Sequence, residues 1–378
     1  MSLLHFFPLK DLEVVAAKNA ILRLADGREL VDVGGASHGA AIVGHCHPRV
    51  VEAVTQQAAK VMHVAHLYPN PARTAFLEQL HALLPPDLDK TFLGNSGTEA
   101  VEAILKFAGG ATGRSHFVAA ENGFHGRTLG ALSVTHKPSY REPIAGMTMD
   151  VDFVPFNDVE ALKAAVTADT AGLILEPVQG EGGVVPGSRD YLRAARDVCD
   201  DRGALLLFDE VQTGMGRTGP FLAASHSGVL PDALSMGKGL AGGVPIGCAI
   251  TRTDIAERLP AGFHGSTYGA APIACAAGAA ALAVWSDEKL ADRSASEGRR
   301  FLAALGDLDH PAIAEVRGLG LMATVDVKIQ PGPILKAMEQ TGFVALAGGK
   351  RGIRFLPPLT IERQHLDGAV AALGAALG

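Results

Sequence analysis

Short apolar runs alternate with longer helical stretches through the middle of the chain, and this alternation constrains the fold more than any other feature. His116–Ala120 (HFVAA), residues 171–177 (AGLILEP) and residues 204–210 (ALLLFDE) read as strands, with a helix over 191–203 (YLRAARDVCDDRG) between the last two. A crossover of helical length between two strands allows them to run parallel, and strands apolar on both faces need helices on both sides. The reading is an α/β fold with a mainly parallel sheet. Its active site is expected just beyond the carboxyl ends of the strands.

A chain of 378 residues has room for two cores. Near residue 290 the pattern changes to a charged helix over 292–305, a strand-like run over 312–328 (AIAEVRGLGLMATVDVK) and a return segment over 352–361 (GIRFLPPLTI). The expected division is an N-terminal segment 1–50 that joins a small domain, a large domain 51–289, and the small C-terminal domain 290–378.

Acidic residues number 40 and basic residues 33, a net charge of −7 with the two signs interspersed. That argues against nucleic acid as a partner. Cys46, Cys199, Cys248 and Cys275 form no CxxC pair and fit a reducing, cytoplasmic setting. The opening MSLLHFFPLKDLE has no leading positive charge, contains Pro8 and does not read as a signal peptide. The uncharged run 268–285, half of it alanine with an early proline, reads as a buried helix rather than a membrane span.

Three motifs could carry chemistry. In 93–108 (LGNSGTEAVEAILKFA) a strand ends and an amphipathic helix opens at Ser96, Gly97 and Thr98. Free N–H groups and the helix dipole make that turn a candidate anion site, although Ser96 followed by Glu99 is equally an ordinary capping box. Asp209 ends an apolar strand and could hold a heterocyclic nitrogen in its protonated form, or serve as a cap or metal ligand. Lys238, between Gly237 and Gly239 in an uncharged stretch, could be a desolvated, nucleophilic amine or a solvated loop lysine. Its position 29 residues after Asp209 (238 − 209) favours the former.

The rival motif GMGRTG (214–219) satisfies GxGxxG, but Glu210–Thr213 separate it from its strand and Pro220 follows it, so it reads as a glycine-rich loop. The triplet His45, Cys46, His47 is followed by Pro48 with no further ligand cluster, and no metal site is expected.

Taken in order, GHCHP (44–48), NSGTEA (95–100), FHGRT (124–128), EPVQGEGGV (176–184), FDEVQTGMGRTG (208–219), GKGLAGGVPIG (237–247), HGSTYG (264–269), VRGLGLM (316–322) and IRFLPPL (353–359) resemble the class III aminotransferases of the ornithine and acetylornithine type, members of pyridoxal-phosphate fold type I. The resemblance runs over nearly the whole chain. It implies a large domain with a mainly parallel seven-stranded sheet plus a smaller α+β domain, and pyridoxal 5'-phosphate as cofactor.

On that resemblance, Lys238 would carry the cofactor and shuttle the reacting proton, with Asp209 paired to the ring nitrogen. Phe124 would stack on the ring, His125 would lie beside it, and Gln212 would approach its phenolic oxygen. Ser96, Gly97 and Thr98 would hold the phosphate, and Thr267 would reach the phosphate of a neighbouring subunit, implying a homodimer. Arg354 would grip the α-carboxylate of glutamate or 2-oxoglutarate and Arg127 a second carboxylate, with Ser266 on the substrate side. Glu181 would be the switch that pairs with Arg354 when an ω-amine occupies the site.

The closest resemblance within the class implies transfer of the terminal amine of N2-acetylornithine, or of lysine held on an acidic amino-group carrier protein, to 2-oxoglutarate in arginine or lysine biosynthesis. The alternative is a broad ω-transaminase for ornithine, putrescine or 4-aminobutyrate. Ala270 and Ala271 stand where relatives commonly have Gly-Asn, and His38 and Ile42 where they tend to have an aromatic and an asparagine.

Overall fold

The computed structural model describes residues 4, 6 and 9–378. Most of the opening octapeptide, on which the signal-peptide reading rested, lies outside the described residues.

Three strands come first: β1 (Val14–Lys18), β2 (Ile21–Leu24) and β3 (Glu29–Asp32), joined as an antiparallel meander. Helices α1 (Pro48–Ala58) and α2 (Pro71–His81) follow, each opened by a proline at its start, where the missing N–H is not needed. The large sheet then begins with β4 (Lys90–Gly94), α3 (Gly97–Thr112), β5 (His116–Ala120), β6 (Val151–Val154) and β7 (Thr170–Leu175). A small ribbon, β8 (Val178–Gln179) and β9 (Val185–Pro186), precedes β10 (Leu205–Asp209), β11 (Ala233–Met236) and β12 (Gly247–Thr251).

The seven strands lie in the order β4-β12-β11-β10-β7-β5-β6. All run parallel except β12, which is antiparallel to both its neighbours. The register places Gly247, the first residue of β12, opposite Gly94, the last of β4. The strand ends at Gly94, Asp209 and Met236 therefore lie at the same, carboxyl end of the sheet, where the site lies. β10 is central and buried along its whole length, as its unbroken LLLFD run requires.

On one face, α3 buries Ala100, Val101, Ile104, Leu105, Phe107 and Ala108 at helical spacing. The expected helix over 191–203 is present as Arg189–Arg202, capped by the Ser188 hydroxyl and ended by Gly203 in the left-handed region. The uncharged run forms the helix Pro272–Asp287 and packs on α1 and α2. A Cβ at Gly278 would come within 2.7 Å of the Phe76 ring, which explains a small residue there. No helix among the described residues is long and apolar enough to cross a membrane.

The charged helix spans Leu290–Gly306. The run over 312–328, read as one strand, is a hairpin of β13 (Ile313–Leu319) and β14 (Met322–Val327). Gly320 turns the chain with φ +56°, and between apolar Leu319 and Leu321 it leaves little trace of the turn. β15 (Phe343–Val344), β16 (Leu346–Gly348) and β17 (Gly352–Phe355) follow, and β14, β17 and β16 pair antiparallel. β3 pairs with β15, and the Leu356 N–H donates to the Val33 carbonyl at 2.8 Å. From these ties we infer that the described part of the N-terminal segment, up to residue 50, and residues 290–378 act as one unit.

Candidate active site

A cavity of about 310 Å³ opens beyond the strand ends, lined by residues of α3, of the loops after β5, β7 and β10, and of the turn after β11. It gathers Gly97, Thr98, Phe124, His125, Arg127, Glu181, Asp209, Gln212 and Lys238, nine of the thirteen residues expected at the site. They span 141 positions of the chain (238 − 97), so the topology and not local sequence brings them together.

Lys238 follows β11 on a backbone with φ 46°, a left-handed conformation that costs free energy in a non-glycine residue. Its two glycines are there for space. A Cβ at Gly237 would lie 3.1 Å from the Gly97 Cα, and one at Gly239 would lie 2.0 Å from the Ile42 Cγ1. The backbone that carries the amine is thus wedged between the turn opening α3 and the N-terminal loop. Burial lowers its pKa from the usual lysine value, outweighing the carboxylates of Glu181 and Asp209 that act in the opposite sense.

The Asp209 carboxylate is held by three donors or partners. The Val211 N–H and the Ser235 hydroxyl donate to Oδ1 at 3.0 and 3.1 Å, and His125 Nδ1 lies 2.8 Å from Oδ2. His125 is in turn fixed through its N–H by the Thr135 hydroxyl at 2.9 Å. An oriented carboxylate, an amine of lowered pKa and the N-terminus of a 16-residue helix in one cavity fit a cofactor bearing a basic ring nitrogen, an aldehyde and a phosphate.

On the substrate side, Arg354 projects from β17 and is buried. Its Nη2 meets Glu181 Oε1 at 2.7 Å and its Nη1 donates to Gln212 Oε1 at 3.1 Å, while Gln212 Nε2 donates to Glu181 at 3.4 Å. Burial acts to raise the Glu181 pKa, but Arg354 and then Lys238 hold it below the ordinary carboxylate value. Arg127 lies at the exposed rim with its guanidinium 3.5 Å from the centre of the Tyr140 ring and 5.7 Å from that of Phe124.

Four expected residues lie outside this lining: Arg354, just described, and Ser96, Ser266 and Thr267. Ser96 accepts the Glu99 N–H at 3.3 Å as the cap of α3, and Glu99 reaches back to the Asn95 N–H, so the capping role is realised. Thr98, two residues after Ser96 and in the lining, shares a 2.8 Å hydrogen bond with Thr128. Ser266 and Thr267 line a second hollow with His63, His66 and Leu67, where Tyr68 and Tyr268 are also exposed.

The GMGRTG loop opens no helix. Its Arg217 is buried and donates to the carbonyls of Leu321, Pro357 and Gly39 at 2.9, 2.6 and 3.4 Å. His45 and His47 turn to different partners, Asp32 at 2.8 Å and Glu288 at 3.2 Å.

Sequence reading missed Glu176. It is buried in the cavity wall, accepts the N–H groups of Phe124 at 3.0 Å and Gly180 at 2.9 Å, and is pushed by burial, against the opposing charge of His125, to about 7. Its signal was the EP pair ending an apolar strand, the same kind of position that drew attention to Asp209.

The Aminotransferase class-III family pattern matches residues 8–377. The [LysW]-aminoadipate semialdehyde transaminase of Deinococcus radiodurans is 45% identical over 368 residues, 96% of this chain and 85% of that protein. The acetylornithine aminotransferase of Methanosarcina mazei is 42% identical over 359 residues, 94% of this chain and 89% of that protein. Among solved structures, an ornithine aminotransferase from Toxoplasma gondii with partial occupancy of PLP at its active site superposes with a TM-score of 0.92 and 32% identity, covering 98% of this chain and 90% of the other. The chain belongs to the class III aminotransferases and is a pyridoxal-phosphate-dependent transaminase.

Proposed function

We propose that this enzyme moves the terminal amino group of an N-acylated diamino acid, N2-acetylornithine or lysine held on an amino-group carrier protein, to 2-oxoglutarate, giving a semialdehyde and glutamate. The observation that carries the reading is the 2.7 Å pair between Arg354 and Glu181, the latter lining the cavity that holds Lys238. A transaminase alternating between glutamate and an ω-amine needs a carboxylate receptor that can be neutralised when the donor brings no carboxylate to it. Arg354 is the receptor for the α-carboxylate of glutamate, in a bidentate pair, and Glu181 neutralises it in the other half of the cycle.

When bound, pyridoxal phosphate supplies the aldehyde that carries the amino group and an electron-withdrawing ring. The chain's residues do the rest. Lys238 Nζ takes the proton from the substrate carbon that bears the amine and later returns one, a role its lowered pKa suits. Asp209 keeps the ring nitrogen protonated, and the three groups around it keep its carboxylate oriented. Phe124 would cover a ring face, Gln212 would approach the phenolic oxygen, and Gly97 and Thr98 would hold the phosphate at the start of α3.

Arg127 at the rim receives a second carboxylate of the substrate. Thr267 serves the neighbouring subunit of a homodimer, whose contact covers the exposed Leu67, Tyr68 and Tyr268. Exposed Lys350 and Arg351, next to the Gly349 N–H that holds the Glu181 carbonyl at 2.8 Å, give the mouth a positive edge suited to an acidic carrier. Four unpaired cysteines favour the cytoplasm.

An ω-transaminase with wider donor scope is the second reading, favoured by exposed His38, which holds a left-handed backbone where relatives tend to have an aromatic. Adding N2-acetylornithine and glutamate separately to the purified enzyme tests both readings. Bleaching of the visible cofactor band by both compounds supports the first reading. Faster conversion by putrescine or 4-aminobutyrate than by N2-acetylornithine supports the second.

A further inference from the structure

Glu181 stands at the tip of the β8–β9 ribbon, and the sheet that carries Arg354 also holds two backbone carbonyls of that tip. The Gly349 N–H donates to the Glu181 carbonyl at 2.8 Å. Arg317 donates to the Gly183 carbonyl through both Nε and Nη2, at 2.9 and 2.6 Å. Glu315 and Asp326 orient the Arg317 guanidinium through Nη1 at 2.7 and 2.8 Å.

Strand register explains how two arginines reach one loop. Arg317 on β13 is opposite Thr324 on β14, and Thr324 is opposite Arg354 on β17. Directly opposed residues share a face, so both arginines leave the sheet on the same side, about 10 Å apart at the usual strand spacing. Arg354 grips the Glu181 carboxylate; Arg317 grips the carbonyl two residues further on.

These grips differ in kind. The carboxylate must leave Arg354 whenever glutamate enters, but nothing requires the loop backbone to follow. That backbone is tightly set. Gly183 has φ +110°, and a Cβ there would lie 3.0 Å from Arg317 Nη2. Val184 holds φ 52°, which a β-branched residue adopts only when its surroundings impose it.

We propose that Arg317 is a positioning residue for the gate: it pins the loop backbone so that Glu181 opens and closes by side-chain rotation alone, and thereby sets the balance between the two half-reactions. This rests on the reading of Glu181 as the switch. Without the clamp, the Glu181 carboxylate returns to Arg354 less often. The ω-amine half-reaction, which needs Arg354 neutralised, slows, and the glutamate half-reaction, which needs it open, does not.

The test compares holoenzyme carrying Arg317→Met, Arg317→Lys or Glu181→Gln with the native chain. Each half-reaction is followed separately by absorbance with glutamate or N2-acetylornithine, and hydrogen exchange is read on a peptide covering 178–186. Arg317→Met is expected to raise the glutamate-to-acetylornithine ratio of kcat/KM about tenfold, as for loss of a charge-assisted hydrogen-bonded pair, and to speed exchange in the peptide. Arg317→Lys, with one donor direction left, falls between; should the Met variant fail to fold, a native ratio in the Lys variant overturns the proposal. Glu181→Gln is expected to raise the ratio and leave backbone exchange unchanged. An unchanged ratio in Arg317→Met, or an equal fall in both half-reactions, overturns the clamp while Glu181→Gln still shifts the ratio. A Glu181→Gln enzyme with the native ratio overturns the switch itself and the inference with it.

Discussion

Gly239→Ala is the most searching single change, because it adds one methyl group beside Lys238 without asking anything new of the backbone: Gly239 is not in the left-handed region. The added Cβ would sit 2.0 Å from Ile42 Cγ1 and 2.5 Å from its Cβ. Unstrained carbon contacts need about 3.5 Å, so some 1.5 Å of separation must be found between two buried elements. Ile42 is 2% exposed and has little room to retreat, so much of the movement falls on the turn that carries Lys238. Overpacking of this kind costs about 1–3 kcal/mol in stability, and a displacement near 1 Å at a reacting group costs about 10²-fold in rate. The expected result is a folded enzyme with kcat for glutamate turnover lowered about 10²-fold in a steady-state assay, partly restored by adding Ile42→Gly. Native activity in Gly239→Ala, or no recovery in the double variant, would refute the argument that Ile42 sets the position of the amine.

Lys238→Ala is expected to lower turnover at least about 10³-fold while the protein stays folded by circular dichroism, since it removes the group proposed to move the proton. For Glu176, the folded pKa of about 7 lies above the ordinary 4.5, so the stabilisation from its protonated form is full below 4.5 and lost as pH rises through about 7. Glu176→Gln cannot titrate and leaves one backbone N–H without an acceptor; its stability deficit is expected to shrink by roughly 3 kcal/mol between pH 4.5 and 7.5, read from urea unfolding, and a deficit independent of pH would count against the shift. Thr267→Val is expected to weaken retention of the cofactor about tenfold in dialysis followed by absorbance, through loss of one hydrogen bond to a charged group, with the Lys238 reaction otherwise intact.

The large sheet was legible because its strands are buried on both faces. HFVAA, AGLIL and LLLFD stand out as unbroken apolar runs, and the helix between the last two announces itself through Ser188 and Gly203 at its ends. Antiparallel β12 was not distinguishable, since GCAIT is as buried as its parallel neighbours and strand direction leaves no mark on composition. The hairpin at Gly320 hid for a related reason: the residues on both sides of it are apolar. At the site, Lys238 and Asp209 could be read as chemistry because a lone charge in an apolar stretch needs a reason to be there. Glu176 satisfied the same criterion and was passed over, and its two backbone partners come from segments 52 residues before and four after it, pairings that only the fold supplies. The glycines around Lys238 read in the sequence only as small neighbours of an amine, and the structure shows them to be clearance for Gly97 and Ile42.

The placement of β4 at the edge of the sheet has a consequence for how the enzyme is made. Its one neighbouring strand is β12, whose paired residue Gly247 lies 153 positions after Gly94 (247 − 94). At ordinary rates of translation the nascent chain carries β4 and the opening of α3 for roughly 8–30 seconds before that partner exists. Until then the turn proposed to hold the phosphate has no wall behind it, and an unpaired strand edge is open to other chains. The catalytic pocket is therefore a late product of biosynthesis, completed only when a strand running against the rest of the sheet is laid beside its oldest member.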